Sequence, residues 1–165
     1  MDIVIAKGTD RDWLTVTRDD GSEARLTFPK KGHIPHDAVH FFAEKALGFD
    51  AGFWGSVAAG RDPDSIQEMA KQAGHASAKR AVTPDADIVQ LLQAERLVEC
   101  FEAALWADEL DFDAFLDTYR AACESSHVPM PDLSSDAILA LFLRLRTFAD
   151  DWRNLSTGQS ITLVW

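Results

Sequence analysis

The sequence has few cysteines, few positive charges and no long apolar run, and each shortage excludes a class of protein. Among its 165 residues only Cys100 and Cys123 are cysteines, and they form no Cys-x-x-Cys pair. We therefore expect two buried free thiols rather than a disulfide framework or a thiolate metal site. The best candidate for a membrane-spanning segment, residues 137–148, contains Arg144 and Arg146 and falls well short of the ~20 apolar residues required.

Positive charge is scarce as well. Lysine and arginine number 16 against 27 aspartates and glutamates, which gives a formal net charge of −11. Phosphate backbones and anionic membranes attract proteins through surfaces rich in lysine and arginine, so we expect neither nucleic acid nor a membrane as a partner. The N-terminal segment lacks the basic stretch and apolar run of a secretory signal. Together with the unpaired cysteines, this predicts a cytoplasmic protein.

Apolar residues are plentiful enough for one folded domain. They make up 47% of the chain, beside 26% charged residues, a composition typical of a globular protein rather than a disordered one. The length of 165 residues lies below the ~250 residues at which chains begin to divide into domains. We therefore expect a single α+β domain over residues 1–165.

Both ends of the chain carry strand patterns. Residues 3–6, 13–17 and 26–28 are short runs rich in β-forming residues, and a turn signal with Gly21 lies between the last two. The final residues, 161–165, alternate so that every second side chain shares one face. The pattern predicts a small antiparallel sheet, made of an N-terminal meander over about 1–30 and a C-terminal strand over about 160–165.

The residues between these strands, about 35–156, predict a bundle of four to five helices. Apolar residues recur at intervals of three and four, the period of a helix with one buried face. The segments with this pattern are 35–47, 85–107, 112–123 and the residues from Ser134 onward. A shorter helix is predicted from Pro63 to Gly74. The segment 75–86 is small, polar and locally basic, and predicts a mobile loop or a link between subdomains.

Histidine is concentrated at the start of the first predicted helix. His33, His36 and His40 fall within eight positions, beside Asp37 and Glu44. Steps of four residues place His36, His40 and Glu44 along one side of a helix, and the His-x-x-x-His spacing allows two imidazoles to bind one ion. The positive end of the helix dipole favours neutral imidazole at His36, which is the form that a metal ligand requires.

The string His36-Asp37-Ala38-Val39-His40 resembles the zinc-protease helix motif His-Glu-x-x-His, with two departures. Asp37 replaces the glutamate of that family. No third ligand stands at the expected downstream spacing, so Glu44, His33 or His75 would have to serve as the third ligand. These departures argue against membership of the protease family. We predict His36, His40 and Glu44 as ligands of a divalent metal such as zinc and Asp37 as a catalytic residue. The alternative is that these side chains are structural polar residues with satisfied hydrogen bonds.

A segment rich in glycine and aromatic residues follows the histidines. Over residues 48–60, four glycines surround three large aromatic side chains. The segment predicts either a pocket wall, with His33, Phe53 and Trp54 lining the pocket, or a loop that closes one end of the core. The histidine motif followed by Glu44, Leu47-Gly48 and Gly52-Phe53-Trp54-Gly55 resembles a pattern in small bacterial proteins that have no assigned activity. This resemblance implies that the helix and the aromatic segment form one unit.

Two functions of different classes fit these observations. Weak catalytic motifs beside strongly apolar helices favour a non-catalytic ligand-binding or interaction module, which forms a homodimer through the last helix or a free sheet edge. The alternative is a metal-dependent or histidine-assisted enzyme that acts on a small molecule with the cluster of His36, His40 and Glu44. The sequence contains no phosphate-binding loop and no nucleophilic-serine elbow, which excludes the enzyme classes built on those motifs.

Overall fold

The computed structural model describes residues 1–30, 32, 34–80 and 84–165, without the side chains of residues 28, 29 and 73–80. A four-stranded antiparallel sheet packs against helices, which confirms the predicted α+β class. The strands are β1 (Asp2–Ala6), β2 (Arg11–Thr17), β3 (Glu23–Pro29) and β4 (Ser160–Val164). The α-helices of the described ranges are α1 (His36–Leu47), α2 (Phe53–Ala58), α3 (Pro63–Arg80), α4 (Val89–Ala107), α5 (Phe112–Ser125) and α6 (Ser135–Asn154).

The sheet joins the two ends of the chain. The C-terminal strand joins the sheet as its fourth strand, as predicted. The strand order is β3-β2-β1-β4, so this strand pairs with β1 at one edge. Gly21 forms the turn between β2 and β3 with a φ of 80°, a left-handed conformation that glycine adopts without steric penalty. Alternate residues of β1 and β2 such as Ile3, Ile5 and Leu14 are at most 1% exposed, so one face of the sheet belongs to the core.

Two helical segments differ from the prediction. The aromatic segment contains a short helix, α2, which has no helical pattern in the sequence. Helix α3 does not end at Gly74 but continues to Arg80. A glycine inside a helix costs only ~1 kcal/mol relative to alanine, and the alanine, lysine and arginine residues that follow it favour helix. The predicted loop 75–86 is therefore helical up to Arg80, and residues 81–83 lie outside the described part of the chain.

Helix α1 lies in the middle of the helical layer. It contacts α2, α4 and α6, and each of its residues from Asp37 to Glu44 is buried. At its C-terminal end, Gly48 stops the helix with a φ of 65°, as predicted. Because Asp37, His40 and Glu44 are among the buried residues of α1, their polar groups need partners inside the protein.

The cysteines agree with the sequence prediction. Cys100 and Cys123 are free and buried, and burial raises the pKa of the Cys100 thiol to about 11. Within the described ranges, no helix is long and apolar enough to cross a bilayer.

Candidate metal centre

Two histidines of α1 face two glutamates of α4. His36 begins α1 and His40 follows one turn later, and the centroids of their rings are 4.8 Å apart. Opposite them, Glu95 and Glu102 share one side of α4 because residues seven apart are separated by about two helical turns. His40 and Glu95 are 55 residues apart in sequence, and His36 and Glu102 are 66 apart. The packing of α1 against α4 therefore creates this cluster.

The Nε2 atoms of both imidazoles lie near one carboxylate. Glu95 Oε2 is 3.0 Å from His40 Nε2, and Glu95 Oε1 is 3.8 Å from His36 Nε2. Each of the three residues offers a ligand atom, and these atoms all lie within 4.8 Å of one another. Zinc binds nitrogen and oxygen ligands at about 2.0–2.2 Å, which separates the ligand atoms of a tetrahedral site by about 3.3–3.5 Å. Small side-chain adjustments would therefore let the three donors share one ion.

The Nδ1 atom of each histidine is bound by a different carboxylate. His36 Nδ1 donates to Glu102 Oε1 at 2.9 Å, and His40 Nδ1 donates to Glu44 Oε1 at 3.0 Å. A carboxylate at one ring nitrogen holds a proton there and orients the other nitrogen, and metal-binding histidines are commonly held in this way. When either ring loses a proton, Glu44 and Glu102 therefore keep the remaining proton on Nδ1 and leave Nε2, which is directed towards Glu95, able to bind an ion.

Glu44 supports His40 instead of joining the converging ligand atoms. It is fully buried, and its carboxylate also accepts hydrogen bonds from the backbone N–H groups of Phe53 at 3.0 Å and Trp54 at 2.9 Å. Gly52 leaves room for this carboxylate, because a Cβ at position 52 would collide with Glu44 Oε2 and lie 2.6 Å from Cδ. Glu44, predicted as a metal ligand, thus links the start of α2 to the histidine cluster, and Glu95 occupies the place expected for the third ligand.

The other predicted site residues divide between a cavity and the core. Asp37 and Phe53 line a cavity of about 1370 Å³ together with His36, His40 and Glu95, and the Phe53 ring lies 6.3 Å from that of His40. Trp54 is fully buried, and its indole N–H donates to the backbone carbonyl of Asp37 at 2.9 Å. Of the two aromatic residues predicted to line a pocket, Phe53 does so and Trp54 packs in the core. His33 and the side chain of His75 lie outside the described part of the chain.

Glu95 and Glu102 are the site residues that the sequence prediction missed. Their one local signal is a repeat of acids at 95, 99 and 102 along a helix that is otherwise mainly apolar. Such a repeat is usually a solvated helix face. Nothing in the local pattern indicates that this side of α4 packs against two histidines.

Mutual charge interactions shift the pKa values of the cluster strongly. Burial alone would lower the pKa of His36, but the carboxylates of Glu102 and Glu95 raise it to about 10. Burial likewise opposes protonation of His40, yet Glu44 and Glu95 raise its pKa to about 9. Burial alone would raise the pKa of Glu95, but the two imidazoles hold it well below its usual range. The cluster therefore consists of imidazolium–carboxylate pairs at neutral pH.

The prediction that His36 carries a neutral imidazole is wrong, because its pKa is raised to about 10. The prediction rested on the positive end of the α1 dipole, which affects a nearby charge by ~0.3–1 kcal/mol. Two carboxylates close to the ring favour the proton more strongly than the dipole disfavours it. An ion that binds here must therefore displace protons from the Nε2 atoms, so that binding releases protons to solvent.

The histidine pairs predict a loss of stability at alkaline pH. Both folded-state pKa values lie above the ordinary value of 6.5, so the stability that they contribute is complete below about pH 6.5 and disappears as the pH rises through about 9 to 10. We expect the free energy of unfolding to fall by several kcal/mol between about pH 6.5 and 9.5, because each unit of pKa shift corresponds to ~1.4 kcal/mol. Urea denaturation with a chelator present measures this change, and the double variant His36→Gln/His40→Gln should show a clearly smaller one. An equal decrease in the variant would contradict the assignment.

Comparisons with known proteins identify no relative of this chain. No protein-family model, no curated protein and no solved structure matches it. The chemistry of the site is therefore interpreted from its own geometry.

Proposed function

We propose that this protein binds one divalent metal ion of the zinc class through His36 Nε2, His40 Nε2 and the Glu95 carboxylate, and presents the ion to a small molecule in the adjoining cavity. One observation carries the proposal: both imidazoles have Nδ1 on a separate carboxylate while both Nε2 atoms lie near Glu95. Two separate histidine–carboxylate pairs would not require both rings to direct Nε2 to the same point. A metal ion bound by both rings does require this.

Charge balance supports a divalent ion at this position. The two histidines carry at most two positive charges, whereas Glu44, Glu95 and Glu102 supply three negative charges around them. Among the described residues, no lysine or arginine forms an ion pair with these three glutamates. Exchange of the two Nε2 protons for one divalent ion leaves the total charge unchanged, so the site accepts the ion without a new counter-charge.

The ligand set supports an ion that also binds a small molecule. Imidazole and carboxylate ligands suit zinc and the neighbouring divalent transition metals, and three protein ligands leave at least one coordination position open. When bound, such an ion acts as a Lewis acid towards an oxygen or nitrogen donor. Asp37 lines the same cavity, which makes it the candidate to exchange a proton with that molecule, and Phe53 supplies apolar contact beside His40.

Zinc titration of protein purified without a histidine tag tests the proposal. We expect elemental analysis and titration against a competing chelator to give one ion per chain. The control variant His127→Asn removes an exposed histidine at the end of α5 and should bind the same single ion. Asparagine suits this control because residue 127 has a φ of 56°, a conformation that asparagine adopts more readily than most residues.

Two results would count against a metal site. The first is an absence of bound metal together with an unfolding temperature that does not change when zinc, manganese or nickel is added. The second is zinc binding that disappears in His127→Asn, which would show that an exposed imidazole rather than the cluster holds the ion.

A further inference from the structure

The outer face of α6 carries apolar side chains that the core does not use. Leu139 is 40% exposed and Leu143 is 51% exposed, on successive turns of the helix, with Ala140 exposed beside them. The opposite face of α6 is buried in the core. A single exposed leucine is ordinary in a folded protein, but leucines four residues apart form a continuous ridge of the kind by which two helices pack.

This helix is electrically neutral in a strongly acidic protein. Its exposed charged residues are Asp136, Arg144, Arg146, Asp150, Asp151 and Arg153. Three acids and three arginines give α6 a formal charge of zero, whereas the whole chain has a charge of −11. Because like charges oppose association, a second copy of this chain meets less repulsion at α6 than at the acidic surfaces.

We propose that two copies of the chain form a two-fold symmetric dimer through antiparallel α6 helices. In an antiparallel pair, Leu139 packs against the partner's Leu143. Three residues towards the N-terminus of one helix and three towards the C-terminus of the other, Asp136 then lies opposite the partner's Arg146. The symmetry repeats both contacts. A parallel pair in register would instead place Arg146 beside the partner's Arg146, so charge selects the antiparallel direction.

The position of Arg146 fits this contact. Its guanidinium lies 3.1 Å from Asp108 and 5.9 Å from the centroid of the Phe142 ring, and 47% of the Arg146 side chain is exposed, so the guanidinium lies at the α6 surface. Exposed pairs of this kind contribute little stability, so Arg146 loses little when it exchanges Asp108 for the partner's Asp136. One helix face is smaller than the ~800 Å² that each partner buries in a standard interface. We therefore expect a weak dimer, which forms only at high chain concentration.

Sedimentation velocity at chain concentrations from about 1 to about 500 µM tests the dimer. The 18.3 kDa species should give way to one of twice that mass as the concentration rises. Leu143→Glu should abolish this shift, because it puts a charge at the centre of the contact. The control Val164→Glu makes the same change of charge at another exposed apolar residue, on β4, and should leave the dimer intact.

Charge reversal tests the direction of the helices. Asp136→Arg and Arg146→Asp should each weaken the dimer several-fold, and the double variant should restore it, because the reversed charges again face each other across the interface. A single 18.3 kDa species at every concentration would overturn the proposal. Loss of the dimer in Val164→Glu but not in Leu143→Glu would overturn it in favour of the sheet edge, and failure of the double variant to recover would overturn the antiparallel arrangement.

Discussion

Replacement of Glu95 by glutamine is expected to weaken zinc binding by at least ~100-fold, since even the partners that merely orient metal ligands contribute ~10–100-fold. Glutamine preserves the size of the side chain, but it replaces a charged ligand by a neutral amide. The Nε2 atoms of His36 and His40 would then converge on a group with little affinity for a cation. Zinc titration with chelator competition measures the change directly.

Glu99→Gln is the matched control for this variant. Glu99 lies one turn beyond Glu95 on α4, and its carboxylate pairs with Arg96 at 2.8 Å rather than joining the three converging ligand residues. The control removes the same charge from the same side of the helix, and we expect zinc affinity to change by less than ~3-fold, the scale of exposed charge effects. Equal losses in both variants would mean that general negative charge, and not coordination by Glu95, attracts the ion.

Glu44→Gln is expected to destabilise the fold by about 3 kcal/mol, because a fully buried group that accepts three hydrogen bonds loses much of its accepting capacity. The carboxylate accepts from His40 Nδ1 and from the backbone of Phe53 and Trp54. A glutamine has one amide oxygen for these donors, and its NH₂ group would face at least one of them. Urea denaturation measures the loss, and zinc affinity should fall as well because His40 is no longer held.

A double-mutant cycle with Gly52 separates this role of Glu44 from a general packing defect. Gly52→Ala places a methyl group against the Glu44 carboxylate and should cost about 1–3 kcal/mol, as overpacking typically does. In a Glu44→Asp background the shorter side chain leaves space, so the same substitution should cost less. Equal costs in both backgrounds would show that the strain at position 52 does not arise from Glu44.

The fold was largely predictable because most of its elements follow local periodicity. The alternating apolar residues of β1 and β2, the turn at Gly21 and the helix stop at Gly48 each result from short-range physical preferences. Helix α2 was not predictable in this way. It spans only six residues, one of which is Gly55, and its first turn is held by the Glu44 carboxylate from another helix. A tertiary contact thus determines its structure, and sequence propensity does not.

Only the residues that α1 contributes to the site were predictable from the sequence. Spacing in a helix fixes the direction in which His36, His40 and Glu44 leave the backbone, but it does not determine which ring nitrogen meets which carboxylate. Only the pairing of His40 Nδ1 with Glu44 lies within α1. The contacts with Glu95 and Glu102 form only when α4 packs against α1. The charge of His36 was mispredicted for the same reason, since the dipole is a local property and the neighbouring carboxylates are not.

The pairing of β4 with β1 has a consequence for the synthesis of the protein. The backbone N–H of Trp165 donates to the carbonyl of Met1 at 2.9 Å, and β1 acquires β4 as its outer neighbour only after the helices between these two strands have been synthesised. Until then β1 presents an unpaired edge, which is a template for pairing with other chains. A chain that has been synthesised only as far as the helices therefore leaves this edge of β1 open to pairing with other chains.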